Sequence, residues 1–576
     1  MLPSSIDLAT LREQTLGVDA PVQTPFGERL LVYADFTASG RCLAFVEDYL
    51  REVAVRYANS HTEDSSTGHA TTHLLHEAEG RIKALLNAGE AGKVIACGSG
   101  STAAIHKLQE ILGVAIPPAT LHYLHTVLGD DALTAVRAQQ PVVFVGPYEH
   151  HSNEVTWREG LCEVVEGELT PEGALDLGHL DRLLQDPRWE GRQKIGSFSA
   201  ASNVTGLKSP VHEIARVLHR RGGLALFDYA AAAPYVPIDM NPAGDPDAAL
   251  DAVFLSPHKF LGGPGSSGVL VFHERLYPTA LPPSVGGGGT VVYVNQQRHA
   301  FIEDVEEREK AGTPGIFQTL RAALALEVKA ALGIEAIQAR EHELLQRALD
   351  RWGEDPALAL LGPLDPRQRI GIVSFNVRCP EGRFLHPRLV TTLLNDLFGI
   401  QSRAGCSCAG PYAHRLLGIP ADEAEALLAL SQEGYHGVKP GWCRVGFHYT
   451  MDDAEAAYVT DAVSFVAEHG HRFLPLYRFR VRSGTWEHRD GRAEAPSFSL
   501  EAALRARPEP TARPESERRR RYHEALDEAA AVAERLTEQT SERAVLDGAL
   551  GRHQYFAVAA GMLEEESADD AFCGGF

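Results

Sequence analysis

Between about residues 30 and 300, short apolar runs alternate with longer helical stretches, and that alternation leaves little choice of fold. Lys93-Val94-Ile95-Ala96, Pro141–Val145, Ile195–Ser199, Gly223–Phe227, Ala252–Leu255 and Gly268–Phe272 read as strands. Ala70–Asn87 and Val211–Arg221 read as helices between them. Apolar strands spaced by helices predict an α/β fold with a mostly parallel sheet covered on both faces. Ligands of such sheets bind beyond the carboxyl ends of the strands, so the residues that follow each strand carry the functional information.

Farther along, residues 316–350 form a long helical pattern with a break at Gly333. Ile370–Val377, Val390–Phe398 and Val445–Tyr449 then indicate a smaller α+β domain that ends near residue 475. Arg505–Pro514 carries three prolines among charges and reads as a linker. Glu515–Arg543 reads as a charged helix whose apolar stripe is too thin to stand alone, and the acids Glu564, Glu565, Glu566, Asp569 and Asp570 as a frayed tail. The expected order is an N-terminal segment (1–30) packing with the small domain, a large domain (31–305), the small domain (306–475) and a helical extension (476–576).

Composition narrows the partners. Against 54 Lys and Arg stand 77 Asp and Glu, a net charge of −23 in 576 residues. Such a surface repels nucleic-acid phosphates and anionic lipid. No apolar run reaches the roughly 20 residues that span a bilayer. The opening Met1-Leu2-Pro3-Ser4-Ser5-Ile6-Asp7 lacks the basic-then-apolar order of a secretory signal, so a cytoplasmic protein is expected. Eight cysteines are too scattered for a disulfide framework. Cys406-Ser407-Cys408 lacks the C-x-x-C pairing of a structural zinc site, and no metal is expected.

Four features follow the strands. Gly98-Ser99-Gly100-Ser101-Thr102 opens a helix over Ala103–Leu112, where free backbone N–H groups and hydroxyls can seat a phosphate. Glu149-His150-His151-Ser152-Asn153 offers a flat imidazole; adjacent histidines in extended chain point to opposite faces and rarely share a metal. Asp228 ends one strand, and Ser256-Pro257-His258-Lys259 with a Gly-rich exit ends another. Read singly, Asp228 is equally an end cap and the Gly-Ser segment an ordinary turn. Together, a phosphate seat, a lysine, an acid and a stacking ring are what pyridoxal phosphate needs. A nicotinamide site would instead show G-x-G-x-x-G after the first strand and no lysine.

With these residues in view, the sequence resembles the class V aminotransferase-fold enzymes (fold type I), especially group II cysteine desulfurases and the desulfurase domain of molybdenum-cofactor sulfurases. The resemblance runs from about Tyr33 to Tyr449. Tyr33-Ala34-Asp35-Phe36-Thr37-Ala38-Ser39 resembles Y-L-D-x-A-A-T, and Glu149–Asn153 resembles E-H-H-A-N. It implies that His150 stacks on the cofactor and that Asn203, in Ser202–Gly206, reaches the ring oxygen. It further implies Asp228 as partner of the pyridine nitrogen, Ser256 and His258 as phosphate ligands and Lys259 as the Schiff-base lysine. Thr313 of Ala311-Gly312-Thr313-Pro314 is implied to reach the phosphate of a neighbouring subunit, hence a homodimer. Arg403–Pro411 resembles R-x-G-x-x-C-A-x-P, a register that puts Cys408 on the nucleophile and Cys406 on a variable position. Arg444, with Arg403 nearby, is implied to grip the substrate carboxylate.

Two positions depart from the pattern. The glutamine of D-x-A-Q is Ala231, and the acid before A-G-T-P is Lys310. The activity implied is sulfur abstraction from L-cysteine, giving alanine and a persulfide on Cys408 for an acceptor, with Lys259 and His150 moving protons. Alternatives left open are another class V reaction, such as a C–S lyase or epimerase, and a cofactor-binding protein without catalysis.

Overall fold

The computed structural model describes residues 6–60, 62, 64–491, 513–536 and 542–564. Most of the expected linker and all of the acidic tail after Glu564 lie outside these residues. The chain forms two compact units: Thr37–Asn203 with Leu207–Gln338, and Leu8–Phe36 with Val204–Gly206 and the residues from Ala339 onward.

The first unit is built on a seven-stranded sheet. In order across it lie Gly92–Cys97, Gly268–His273, Ala252–Leu255, Leu224–Asp228, Lys194–Ser199, Val142–Val145 and Glu163–Glu166. The last five run parallel to one another, whereas Gly268–His273 pairs antiparallel on both sides. The six expected strands are present, and Glu163–Glu166 is a seventh at the sheet edge. Alternation sorts the side chains between two covered faces. Ile195 packs in a cluster with Ala104, Ile105 and Leu108 of the helix Ser101–Ile111. Its neighbour Gly196 lies against Leu218 of the helix Val211–Arg220, so close that a Cβ there would stand 2.5 Å from Leu218 Cδ1. Helices Ile316–Leu332 and Ile334–Trp352 meet at Gly333, whose φ of 88° stops the first.

In the second unit, four antiparallel strands run in the order Leu358–Leu360, Ile372–Val377, Trp442–Gly446 and Arg403–Gly405. Helices Pro387–Phe398 and Asp453–His469 add Leu389, Leu393, Leu397, Val459 and Val463 to one core. That core continues beyond residue 475. A hairpin, Tyr477–Arg480 with Thr485–His488, takes Leu563–Glu564 as a third strand. The charged helix runs over Glu515–Leu536, ending short of the expected Arg543, and buries Tyr522, Ala525, Ala529, Ala533 and Leu536. Its stripe is thin, and two further contacts anchor it. Tyr522 stacks on Tyr458 with ring centroids 4.2 Å apart, and Arg518 reaches Asp19 and Asp452. Arg12 joins the same cluster through Asp19 and Glu455.

Burial pushes the imidazoles of His386 and His448 in this unit down to about 3. Their folded values lie below the unfolded one, so each contributes stability present above about pH 6.5 and lost progressively towards pH 3. Glu455, pushed up to about 7 by burial, opposes one of them between about pH 7 and 4.5. The steep loss is therefore expected below pH 4.5, where Glu455 no longer opposes the two rings. Urea midpoints followed by tryptophan fluorescence should fall sharply from pH 4.5 to 3.5; a flat profile there contradicts neutral buried rings.

Candidate active site

The lysine of the first unit sits on a turn that only close packing permits. Pro257–Lys259 is a single 3-10 turn after the strand Ala252–Leu255. Its His258 carbonyl accepts from Gly40 N–H at 2.8 Å and from Ser39 Oγ at 3.1 Å. A Cβ on Gly40 would lie 2.0 Å from Phe260 O, and one on Gly263 1.8 Å from Pro257 O, so neither position accepts a side chain. Lys259 is half-buried on this turn.

Around it gather the expected partners of one sheet edge. Ser101 N–H, at the start of its helix, donates to Ser256 Oγ at 2.8 Å. A Cβ on Gly100 would lie 3.1 Å from Ser256 Oγ and 3.5 Å from His258 Nε2, so glycine leaves a hollow where a hydroxyl, an imidazole and a helix start converge. Burial and the charge of Lys259 push His258 down to about 4, and its neutral ring contributes a hydrogen bond rather than a charge. Thr102 Oγ1 lies 2.6 Å from Ser152 Oγ, which in turn lies 3.1 Å from His150 Nδ1. Because His150 Nδ1 also accepts from Ser152 N–H at 3.1 Å, the neutral ring carries its proton on Nε2.

Asp228 ends the strand Leu224–Asp228 and is buried. Burial pushes its carboxyl up, against the Ala230 N–H at 2.9 Å, the charge of Lys259 and the Ser101 side chain. A carboxylate so placed fits a cationic ring nitrogen, which would supply the charge that burial withholds. The donor hollow fits a phosphate. Together these residues suit pyridoxal phosphate. Asn203 is buried, and Ala231 is buried where the family pattern has glutamine. Thr313 stands apart: it is exposed, and its hydroxyl accepts from Asn59 Nδ2 at 3.2 Å rather than joining the seat.

Three further buried side chains support the site without being among the residues the sequence marked as candidates. Glu149 is buried and accepts from Ser199 N–H (2.9 Å), Ser199 Oγ (2.6 Å) and Asn153 Nδ2 (2.7 Å), pinning the His150 turn to the strand Lys194–Ser199. Burial pushes it up to about 7. Lys329 donates to Ala233 O at 2.6 Å and Val236 O at 2.5 Å, which fixes the loop after Asp228. Burial pushes Lys329 down to about 7. Lys310, in place of the expected acid, lies between Glu79 (2.8 Å) and Glu307 (2.8 Å).

The second unit holds the arginines and the paired cysteines. Arg403 and Arg444 stand directly opposite each other on neighbouring antiparallel strands, an arrangement that repels. Asp35 bridges them, accepting from Arg444 Nη2 at 2.9 Å and Arg403 Nε at 3.0 Å. Arg444 is 3 % exposed, and burial lowers its pKa despite Asp35. Asp35→Asn should therefore cost about 3 kcal/mol of stability by removing the carboxylate that both guanidiniums share. Urea denaturation checks this, and an unchanged midpoint would mean the bridge is idle.

Beyond Arg403–Gly405 the chain turns through Cys406-Ser407-Cys408-Ala409, closed by Ala409 N–H donating to Cys406 O at 3.1 Å. Ser407 and Cys408 both have left-handed backbone, φ 54° and 55°, without glycine at either. Each costs about 1–2 kcal/mol. The helix Gly410–Leu417 follows at once. Cys408 is exposed and Cys406 half-buried.

Known proteins resemble this chain in family and fold. The family described as Aminotransferase class-V matches residues 128–459. The chain is 29% identical over 428 residues to the probable cysteine desulfurase of Streptomyces coelicolor, covering 73% of this chain and 92% of that one. With the cysteine desulfurase of Dickeya dadantii it shares 30% identity over 403 residues, covering 68% and 85%. The crystal structure of the cysteine desulfurase CsdA (S-sulfonic acid) from Escherichia coli superposes with a TM-score of 0.60 at 22% identity, covering 80% and 99%, and shares the fold. The chain belongs to the class-V aminotransferase family, which uses pyridoxal phosphate, and is a cysteine desulfurase-like enzyme within it.

Proposed function

We propose that the enzyme takes sulfur from L-cysteine, leaving L-alanine and a persulfide on Cys408, with pyridoxal phosphate held at Lys259. The observation that carries the reading is the buried Asp228 carboxylate within electrostatic reach of Lys259, at the carboxyl end of the strands that also lead into Ser256 and His258. Pyridoxal phosphate, when bound, supplies an electron sink for the substrate α-carbon.

The chain supplies the rest. Ser101, Thr102, Ser256 and His258 hold the phosphate by neutral hydrogen bonds and a helix start. Asp228 would keep the cofactor's ring nitrogen protonated, and His150 and Asn203 would hold the ring. Lys259 Nζ would hold the cofactor, and its amine would move the substrate α-proton. Arg444 and Arg403 bind the substrate carboxylate, a planar anion that suits guanidinium. Cys408 thiolate attacks the substrate sulfur: an S–S bond forms as the C–S bond breaks.

A homodimer belongs to this reading. Thr313 is exposed, and Gly312 N–H donates to Gly288 O at 2.8 Å, next to a hairpin (Val291–Val294 with His299–Phe301) that exposes Val292, Tyr293 and Val294. A second subunit that covers this apolar edge would receive Thr313.

The test is spectroscopic. Purified protein should be yellow, and borohydride should fix a pyridoxyl group on Lys259. Asp228→Asn should keep the cofactor but lose turnover by about a hundredfold. An adduct on another lysine, or near-normal turnover in Asp228→Asn, would overturn the assignment.

A further inference from the structure

Two thiols share one closed turn, two residues apart in the chain. Residues two apart in left-handed helical backbone have the spacing of an ordinary helix, about 5.4 Å between Cα atoms from the 1.5 Å rise and 2.3 Å radius. That falls within the 4.4–6.8 Å found across disulfides. Extended chain would place them about 6.6 Å apart, at the edge of that window. Ser407 and Cys408 hold the left-handed form at φ 54° and 55°, and the Ala409 N–H to Cys406 O bond of 3.1 Å locks it.

Cys406 lies within electrostatic reach of Arg388, and Cys408 within that of Arg444. The remaining described cysteines are differently placed. Burial pushes Cys97, Cys162 and Cys379 up to about 12 and Cys443 up to about 11, and it also raises Cys42. They are packed thiols.

We propose that Cys406 is a resolving thiol that discharges the Cys408 persulfide as sulfide, a role that rests on Cys408 being the sulfur acceptor. Cys406 Sγ attacks Cys408 Sγ. The Cys406–Cys408 bond forms, the bond from Cys408 to its outer sulfur breaks, and that sulfur leaves with the electron pair as hydrosulfide. The Cys406 thiol proton goes to solvent or to the hydrosulfide. Two thiol-level sulfurs of the chain are thereby oxidised to a disulfide, and the sulfane sulfur is reduced to sulfide. A dithiol reductant must then return the pair to thiols, so the reaction that follows this one is a thiol–disulfide exchange. Sulfur released this way reaches small-molecule acceptors without a docking protein.

The experiment treats full-length holoenzyme with L-cysteine in the absence of reductant, alkylates it, and maps the tryptic peptide that spans residues 404–415. Wild-type protein should give the linked, unalkylated peptide, two hydrogens lighter, with about one equivalent of sulfide per subunit. Cys406→Ser, and Cys406→Ala as a second variant, should keep the persulfide on Cys408 and release sulfide about tenfold more slowly. A parallel arm uses inorganic polysulfide, which loads a thiol without amino-acid chemistry. Linkage with polysulfide but not with cysteine supports the resolving role and removes the desulfurase reading. A Cys408 persulfide as long-lived in wild type as in Cys406→Ser overturns the resolving role and leaves the desulfurase reading standing. Sulfur found on Cys406 means a relay, and also overturns it.

Discussion

Lys259→Ala should lower alanine formation from L-cysteine roughly a thousandfold and abolish the borohydride-stable adduct. The effect is large because one side chain has two duties on the proposed path, holding the cofactor and moving the α-proton. The geometry leaves no obvious substitute. Lys329 is the other lysine near this edge, but its Nζ is committed to the carbonyls of Ala233 and Val236. The turn itself should survive the change, because Gly40 and Ser39 hold it through the His258 carbonyl rather than through the Lys259 side chain. Circular dichroism of Lys259→Ala should therefore match wild type. Turnover within tenfold of wild type would count against Lys259.

Cys408→Ala should be as severe for sulfur transfer, again roughly a thousandfold, while leaving the cofactor spectrum unchanged. The two losses separate the units chemically, since Lys259 and Asp228 belong to one and Cys408 and Arg444 to the other. A variant that binds cofactor and cysteine but forms no persulfide isolates the step that belongs to the thiol.

The sheet was legible because parallel strands buried on both faces are written as unbroken apolar runs, as in Val142–Val145 and Ala252–Leu255. Glu163–Glu166 escaped the same reading because it lies at the sheet edge, with acids at both ends and two valines between. The hairpin Tyr477–Arg480 with Thr485–His488 escaped for a related reason. Its arginines, exposed or half-buried, alternate with buried Tyr477 and Phe479, so it resembles a polar connection. Helix Glu515–Leu536 was legible as a helix, but not its hold on Tyr458, Asp19 and Asp452, residues far off in sequence.

At the candidate site the motifs fixed positions along the chain and little about contacts. Asp35 could be picked out as part of an opening segment, yet its bridge spans 368 residues to Arg403 and 409 to Arg444. No local pattern encodes such a pairing. The left-handed turn at Ser407 and Cys408 was equally hidden, because left-handed backbone is ordinarily signalled by glycine or asparagine and neither is present there. Lys329 reads from sequence as one more charged residue on a helix.

Product analysis with labelled L-cysteine decides whether a protein thiol abstracts the sulfur. Wild-type protein should form alanine and release or bind an equal amount of sulfur, with no pyruvate, and Cys408→Ala should form neither alanine nor transferable sulfur. Pyruvate and ammonia in place of alanine, or alanine at an undiminished rate from Cys408→Ala, would contradict the account and make the enzyme a C–S lyase or another class-V catalyst.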